Sequence, residues 1–251
     1  IPRGVAIADV GTDHAYLPIA LVQSGHTPWA VAADVRLGPY ERARQAVEKA
    51  GLSDRIEVRL GDGLTILKAG EVHTVVMAGM GGGLMRDLLS ADPEKTRSFQ
   101  RLVLQPNMAS HLLRTTLYEQ QWKLLDERLV WDEGHLYEVL AYEQGLDRAY
   151  AAAAEKLGRE SGLEFLEQDW FLLFLLGPHL LIRVWEDADE TERRLLFQRM
   201  VQMTEKRRRI LAGLKQARQA EQEKIQKLAK QVAQLEVLAR CMPMDKRSFN
   251  W

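Results

Sequence analysis

Apolar positions in residues 5–143 alternate between short β-branched runs and the three-and-four spacing of amphipathic helices. This alternation is typical of a parallel sheet whose strands are joined by helices. The pattern predicts five strands with four helices after or between them. The strands are predicted at 5–9, 29–35, 56–60, 74–78 and 102–105, and the helices at 15–24, 38–50, 81–90 and 109–121.

Two more apolar segments, 123–131 and 135–142, follow the last of these helices. The residues between them, Asp132-Glu133-Gly134, have the composition of a tight turn. The two segments therefore predict a β-hairpin, and we expect the sheet to end in one antiparallel strand. The predicted fold class is α/β, with a Rossmann-like, mostly parallel sheet.

The composition changes from about Gly145, after which Ala, Leu, Glu, Gln, Lys and Arg dominate. Apolar residues at the spacing of a coiled-coil seam predict two long helices that fold back near 213–219 into an antiparallel hairpin. One continuous rod is the alternative, although it would leave its seam exposed. The two stripes are Leu196, Met200, Met203, Ile210 and Leu214, and Ile225, Leu228, Val232 and Leu235.

We therefore predict two domains, residues 1–145 with the sheet and residues 146–251 with the coiled coil. A dimerisation or stiffening role for the second domain is one interpretation. Its charge suggests another interpretation, a surface that contacts a nucleic-acid backbone. Residues 205–230 contain nine basic and three acidic side chains in a chain of net charge −1. We expect a monomer rather than an obligate oligomer.

The composition argues against a membrane span, a disulfide and a cysteine metal site. The 251 residues are 46% hydrophobic and 27% charged, and no apolar run approaches the roughly 20 residues of a membrane span. A single cysteine, Cys241, excludes an internal disulfide and a cysteine metal cluster. We expect a cytoplasmic protein with no membrane partner and no metal.

The first predicted strand leads into Asp9-Val10-Gly11-Thr12-Asp13-His14, a strand–turn–helix of the kind that binds nucleotide cofactors. Gly11 lets the backbone approach a ligand closely. The motif is not G-x-G-x-x-G, since Asp13 stands in the loop and would repel a pyrophosphate. A carboxylate there suits the ammonium of a methionine moiety, so the loop favours S-adenosyl-L-methionine as cofactor. A tight turn with a helix cap is the alternative.

Acidic residues also end the next two predicted strands. Asp34, followed by Val35, stands where an acid accepts hydrogen bonds from ribose hydroxyls. Its alternative role is to cap the following helix. Asp62 and Gly63 follow the third strand, where the acid can accept from the adenine amino group or simply form an Asp-Gly turn. Three acids at three successive strand ends together predict a cofactor site.

A glycine-rich segment ends the fourth strand and adds Ala78, Gly79, Met80 and Gly81 to the predicted cofactor site. It is not a Walker loop, because no Gly-Lys-Ser/Thr follows. Gln105-Pro106-Asn107 ends the fifth strand. The Asn107 amide could contact an acceptor base or hold the loop, and the residues alone leave both open.

These motifs resemble the TrmK family, bacterial enzymes that methylate N1 of adenine 22 in tRNA. The resemblance covers nearly the whole chain, including the coiled-coil tail and the Gly177-Pro178 break. It implies S-adenosyl-L-methionine as cofactor and tRNA as partner. In that family a helix precedes the first strand, so we expect leading residues of that helix to be missing before Ile1. The motifs are Ala8 to Pro18, Ala78-Gly79-Met80-Gly81-Gly82, Leu104-Gln105-Pro106-Asn107 and Gly134-His135-Leu136-Tyr137-Glu138.

The candidate catalytic residues are Asp13, Asn107 and Tyr137. N1 of adenine carries a lone pair, so methyl transfer needs alignment more than a strong base. Asp13 could stabilise the positive charge that develops, or hold the cofactor ammonium instead. His14 is a candidate for cofactor or acceptor contact, with a structural role as the alternative. Tyr137, with His135, could stack on a flipped base or serve only in packing.

The candidate RNA contacts are Arg207, Arg208, Arg209, Lys215 and Lys224. Their alternative is a solvated coiled-coil surface. Since a fold does not fix its substrate, methylation of a protein or small molecule and a non-catalytic coiled-coil module stay open as other functions.

Overall fold

A computed structural model describes residues 1–186, 189–216 and 221–243 of the chain. Seven strands form one sheet, and eleven α-helices and one 3-10 helix accompany them in these residues. The strands are β1 (Ile7–Val10), β2 (Ala30–Asp34), β3 (Ile56–Leu60), β4 (Thr74–Gly81), β5 (Arg101–Met108), β6 (Trp122–Asp132) and β7 (His135–Gln144).

The helices within and around the sheet agree with the predicted positions to within two residues, with two additions. The 3-10 helix Gly63–Ile66 and α4 were not predicted. Asp92 caps α4 by accepting from the Lys95 amide at 3.0 Å, and Pro93 is its first residue. The helices are α1 (Tyr16–Gln23), α2 (Leu37–Lys49), α3 (Gly82–Ser90), α4 (Pro93–Ser98) and α5 (Ser110–Glu119).

The strand order is β3-β2-β1-β4-β5-β7-β6. β1 pairs in parallel with both β2 and β4. Strands β2 and β3 are therefore added on one side of β1, and the order of strands reverses when β4 is added on the other side. In open α/β sheets, ligands bind in the crevice at the carboxyl ends of the strands at this reversal.

The antiparallel strand is β7, and it does not end the sheet as expected. It lies between β5 and β6, opposite β5, which makes β6 the outermost strand. The side chains explain this placement: Leu140 and Tyr142 on β7 are fully buried, whereas Asp126 and Arg128 on β6 form an ion pair. Charged residues on an outer strand also protect it against pairing with other chains.

The sheet buries apolar side chains on both faces. Along β1, Ile7 belongs to one apolar cluster, and Ala8 and Val10 belong to the other. This division follows from the alternation of side chains along a strand. Asp9 is on the Ile7 face and is 8% exposed, so β1 buries a carboxyl group within an otherwise apolar strand.

The described residues after the sheet form six helices. Four short helices, which the composition did not predict individually, precede two long ones. They are α6 (Ala149–Ser161), α7 (Phe165–Gln168), α8 (Phe171–Leu176), α9 (Pro178–Glu186), α10 (Glu190–Gln216) and α11 (Gln222–Cys241).

The two long helices pack against each other, and Arg208 of α10 donates to Glu236 of α11 at 2.8 Å. Residues 28 apart would be about 42 Å apart along one straight helix, so the continuous rod is excluded. α10 runs through Gln216, beyond the predicted start of the turn, and residues 217–220 lie outside the described part. Leu196, Met200 and Leu235 are buried, but Ile210 is 48% exposed, so burial of the stripe decreases toward the end of α10.

By internal contacts the chain divides into two units, 1–128 with 137–147, and 129–136 with 148–251. The tip of the β6–β7 hairpin therefore groups with the helices. The domain boundary at 145/146 stays a prediction. None of the described helices is both long and apolar enough to span a bilayer.

Candidate active site

A cavity of about 300 Å³ lies at the carboxyl ends of β1, β2, β3 and β4. Eight of the predicted cofactor residues border it. The bordering residues are Val10, Gly11, Ala33, Asp34, Val35, Arg36, Gly61, Asp62, Gly63, Ala78, Gly79, Met80, Leu84 and Leu88.

The turn after β1 is held against β2 and covered by Met80. The amides of Gly11 and Thr12 donate to the Ala33 carbonyl at 2.7 and 2.9 Å. Gly11 has φ +86°, and a Cβ atom there would lie 2.0 Å from the Met80 Cε. The backbone conformation therefore favours glycine at this position, whereas the contact involves the flexible end of Met80, which could move away.

Asp34 both supports the turn before α2 and borders the cavity. Its side chain is 6% exposed, and its Oδ1 accepts from the Arg36 amide at 2.8 Å. Arg36 precedes α2 as its N-cap and makes no side-chain cap bond, so Asp34 organises the chain just before the helix. The alternative role of Asp34 as the cap of α2 is wrong, because Arg36 occupies the N-cap position; Asp34 instead supports the turn before the helix while it borders the cavity.

The cavity lining also combines a second acid, Asp62, with apolar side chains. Asp62 is exposed and makes no side-chain cap bond to the 3-10 helix that it precedes. Leu84 and Leu88 on α3 border the same cavity, and Val35 is 59% exposed there. An acid beside apolar surface is suited to a nucleobase with an amino group.

Four predicted cofactor residues do not border the cavity: Asp9, Asp13, His14 and Gly81. Asp9 is buried behind the turn, where its carboxyl group is hydrogen-bonded to the side chain of Thr12. Burial raises the pKa of Asp9 to about 6, and the bond to Thr12 opposes that rise. Gly81 precedes α3 as its N-cap.

Asp13 and His14 lie on the surface of the turn. Asp13 accepts a hydrogen bond from the Arg42 Nε at 2.9 Å, and this bond, with the charge of Arg42, lowers the pKa of the Asp13 carboxyl. The His14 ring stacks on Tyr16 with centroids 5.0 Å apart. Tyr16 itself is 72% exposed, a large aromatic surface at the start of α1.

Two side chains from β5 hold the glycine loop at the end of β4. The Gly79 amide donates to the Gln105 Oε1 at 2.9 Å, and the Asn107 Nδ2 donates to the Gly79 carbonyl at 2.8 Å. The Gln105 Nε2 donates to the Asn107 Oδ1 at 3.2 Å and closes the ring. Of the two roles left open for Asn107, holding the loop is the one for which the structure provides contacts.

Tyr137 is half-buried on β7 and is not among the residues that border the cavity. Its neighbour Glu138 is buried, and the guanidinium of Arg114 on α5 donates to both Glu138 and Glu127. Arg114 and Glu127 are fully buried as well. The motif around Tyr137 thus contains a buried ionic cluster that ties α5 to β6 and β7.

Comparison with known proteins agrees with this geometry. The sequence model of a family described as "Methyltransferase domain" matches residues 1–140. The tRNA (adenine(22)-N(1))-methyltransferase of Bacillus subtilis is 40% identical over 176 residues, 70% of this chain and 74% of that protein. The crystal structure of the B. subtilis tRNA methyltransferase TrmK superposes with a TM-score of 0.77 at 33% identity, covering 95% of this chain and 94% of that one.

The chain belongs to the TrmK family. A second structure similar to this TrmK-family chain is Streptococcus pneumoniae Sp1610 in complex with S-adenosyl-L-methionine. It superposes with a TM-score of 0.72 at 29% identity and covers 94% of each chain.

The predicted RNA-contacting residues of this TrmK-family chain lie on α10 and α11 and differ in their contacts and exposure. Arg207 is half-buried, with its guanidinium over the Phe171 ring 5.6 Å from the centroid, and burial lowers its pKa. Arg208 pairs with Glu236 across the two long helices. Arg209 is 81% exposed and lies 3.7 Å from Glu205 one turn earlier, and Lys215 is exposed. Lys224 on α11 pairs with Glu221 at 2.7 Å.

Sequence reasoning missed several cavity residues, of which Arg36, Leu84 and Leu88 carry side chains suited to a ligand. Leu84 and Leu88 are four apart and therefore share one face of α3. That spacing alone is also typical of core packing, and only the 54% exposure of Leu84 distinguishes the two. No group of three or more His, Cys, Asp or Glu in the described residues could hold a metal ion.

Proposed function

We propose that this protein transfers a methyl group from S-adenosyl-L-methionine to N1 of adenine 22 in tRNA. The observation that carries this proposal is the cavity at the strand ends, bordered by Gly11, Asp34 and Asp62 in a TrmK-family chain. We further propose that it works as a cytoplasmic monomer, with residues 1–145 as the catalytic domain and 146–251 as a helical domain.

The residues of the cavity fit the cofactor. The Asp34 carboxylate can accept from two ribose hydroxyls, and Asp62 can accept from the adenine amino group. Val35 and Leu88 offer apolar surface to the base, and Gly11 leaves room for the ligand because it carries no side chain. S-adenosyl-L-methionine, once bound, supplies a methyl group on a sulfonium sulfur.

The chain's own contribution to the reaction is alignment and charge. Asn107 and Gln105 fix the Gly79 loop, and a fixed loop keeps an acceptor base in line with the methyl group. Asn107 is therefore proposed as a positioning residue. Arg42 holds Asp13 ionised, which makes this carboxylate a weak base but a lasting negative charge near an adenine that becomes positive. Tyr137 stays our candidate for contact with the base.

The tRNA backbone is proposed to contact the exposed basic residues of the helical domain. Arg209 and Lys215 are the strongest candidates of the predicted set because both are exposed, and the pair of Arg209 with Glu205 is long, at 3.7 Å. Arg207, Arg208 and Lys224 already contact an aromatic ring or a glutamate, so their contribution would require those contacts to be shared or exchanged.

Incubation with radiolabelled S-adenosyl-L-methionine and one of three acceptors tests the proposal: bulk tRNA, protein extract, or none. Label in tRNA alone is expected. Label in protein would replace the RNA substrate with a protein, and no transfer despite measured cofactor binding would contradict the proposed activity.

A further inference from the structure

A second cavity, of about 410 Å³, lies in the helical unit between the hairpin tip and the first turns of α10. Its lining residues are Trp131, Thr191, Arg194, Leu195 and Gln198. The four from α10 are spaced at three, four and seven residues from Thr191, so they occupy one face of the helix. Trp131 is on β6, just before the turn.

The chemistry of this lining is mixed in a specific way. Leu195 is 7% exposed and forms an apolar floor, whereas Trp131 is 47% exposed. Arg194 and Thr191 are exposed, and Gln198 is half-buried. One aromatic face, one cation and two uncharged hydrogen-bonding groups thus border a single concave surface.

These polar groups are not engaged within the unit. Among the residues that the structure describes, the side chains of Trp131, Thr191, Arg194 and Gln198 make no hydrogen bond, ion pair or ring contact. This distinguishes Arg194 from Arg207 and Arg208 on the same helix, which contact Phe171 and Glu236. A half-exposed tryptophan with no ring partner is costly to keep in water and is typical of a binding surface.

We propose that this cavity binds one unstacked nucleotide of the tRNA substrate. The base would stack on Trp131, Gln198 and Thr191 would meet its polar edge, and Arg194 would pair with the adjacent phosphate. Unstacked bases of RNA loops are recognised by aromatic stacking combined with hydrogen bonds and basic side chains. A purely apolar partner would leave Arg194 and Gln198 unsatisfied, which disfavours a protein helix as occupant. The inference rests on the proposed tRNA substrate.

Steady-state methyl transfer into transcribed tRNA tests the cavity with the full chain. Loss of one stacked base by Trp131→Ala should raise the KM for tRNA roughly 5- to 150-fold. kcat at saturating tRNA and the dissociation constant for S-adenosylhomocysteine should stay unchanged. Trp131→Phe retains an aromatic face and should recover most of the lost affinity, and the tRNA-induced quenching of tryptophan fluorescence should decrease in this variant. Arg194→Gln should reduce the salt slope of tRNA binding by about one.

Val130→Ala is the matched control. Val130 is 45% exposed and adjacent to Trp131, but on a strand it points to the opposite face. It should leave the KM unchanged. An unchanged KM in Trp131→Ala, with an active wild type, overturns the nucleotide site, as does an equal increase in Val130→Ala. A wild type that methylates no tRNA would instead contradict the proposed function.

Discussion

At the scale of residues, the acidic side chains near the first strand ends differ sharply in their surroundings. Asp9 is buried with a raised pKa, Asp13 is exposed and paired with Arg42, and Asp34 is buried beside the cavity. Gly11 and Asp34 could be found from sequence because backbone geometry and position after a strand identify them. The burial of Asp9 could not, since it depends on how α1 covers the strand.

Asp34→Asn tests the proposed ribose contact. Asparagine retains an oxygen for the Arg36 amide but loses the charge that strengthens bonds from ribose hydroxyls. Such bonds contribute about 1.5–3 kcal/mol, so the dissociation constant for S-adenosylhomocysteine should rise roughly 10- to 150-fold. Calorimetry measures it, with the exposed Asp54→Asn as control. Equal affinities in both variants would limit Asp34 to its turn.

Asp9→Asn tests the buried carboxyl through pH. Because the pKa is about 6 in the folded protein and 3.8 as a free group, the folded state binds more protons between these values. The wild type therefore loses stability as the pH rises from about 4 to 6, and the loss persists above. The unfolding free energy of Asp9→Asn relative to wild type should increase by about 3 kcal/mol from pH 4 to 7, at about 1.4 kcal/mol per pKa unit. Urea unfolding at several pH values measures it, and a difference independent of pH would contradict the assignment.

At the scale of elements, α5, β6 and β7 are joined by a buried ionic cluster. Arg114 is fully buried, and its Nε donates to Glu127 at 2.9 Å while its guanidinium also reaches Glu138. The strands and the longer helices were predictable from apolar periodicity, whereas α4, the 3-10 helix and the short helices α6 to α9 were not. The cluster and the inner position of β7 were not, because charged residues are seldom fully buried and strand order depends on packing between distant segments.

Arg114→Ala should destabilise the protein far more than an exposed charge replacement. Its removal leaves two buried carboxylates without their cation, which costs about 3–5 kcal/mol. Arg86→Ala is the control, since Arg86 forms an exposed pair with Asp87 worth about 1 kcal/mol or less. Urea unfolding compares the two, and similar losses would contradict the structural role of the cluster.

At the scale of the whole molecule, the sequence carries a surplus of basic residues in 205–230. The structure assigns those residues to different surroundings: Arg207 contacts Phe171, Arg208 contacts Glu236 on the partner helix, and Arg209 is 81% exposed beside Glu205 of its own helix. The charge surplus was countable from sequence. Which basic side chains are free to contact RNA depends on the rotation of α10 and on its packing against α11. A count of charges in the sequence does not give this information.

Arg209→Gln combined with Lys215→Gln should weaken tRNA binding without affecting cofactor binding. If both residues contact phosphates, the slope of log K against log salt should decrease by about two. Lys49→Gln with Lys123→Gln is the matched control, because both side chains are exposed, Lys49 ends α2, and Lys123 lies near the start of β6 and outside the helices α10 and α11. Filter binding across salt concentrations measures the slopes, and equal slopes in the two double variants would remove α10 from the proposed RNA surface.

The position of the methyl group in tRNA shows whether this protein methylates adenine 22. Transcribed tRNA with adenine at position 22, and the same tRNA with guanine there, are incubated with the protein and S-adenosyl-L-methionine and then digested and analysed by mass spectrometry. We predict 1-methyladenosine in the first tRNA, at position 22, and none in the second. Methylation at another position, or equal methylation of both tRNAs, would contradict the proposed activity on adenine 22.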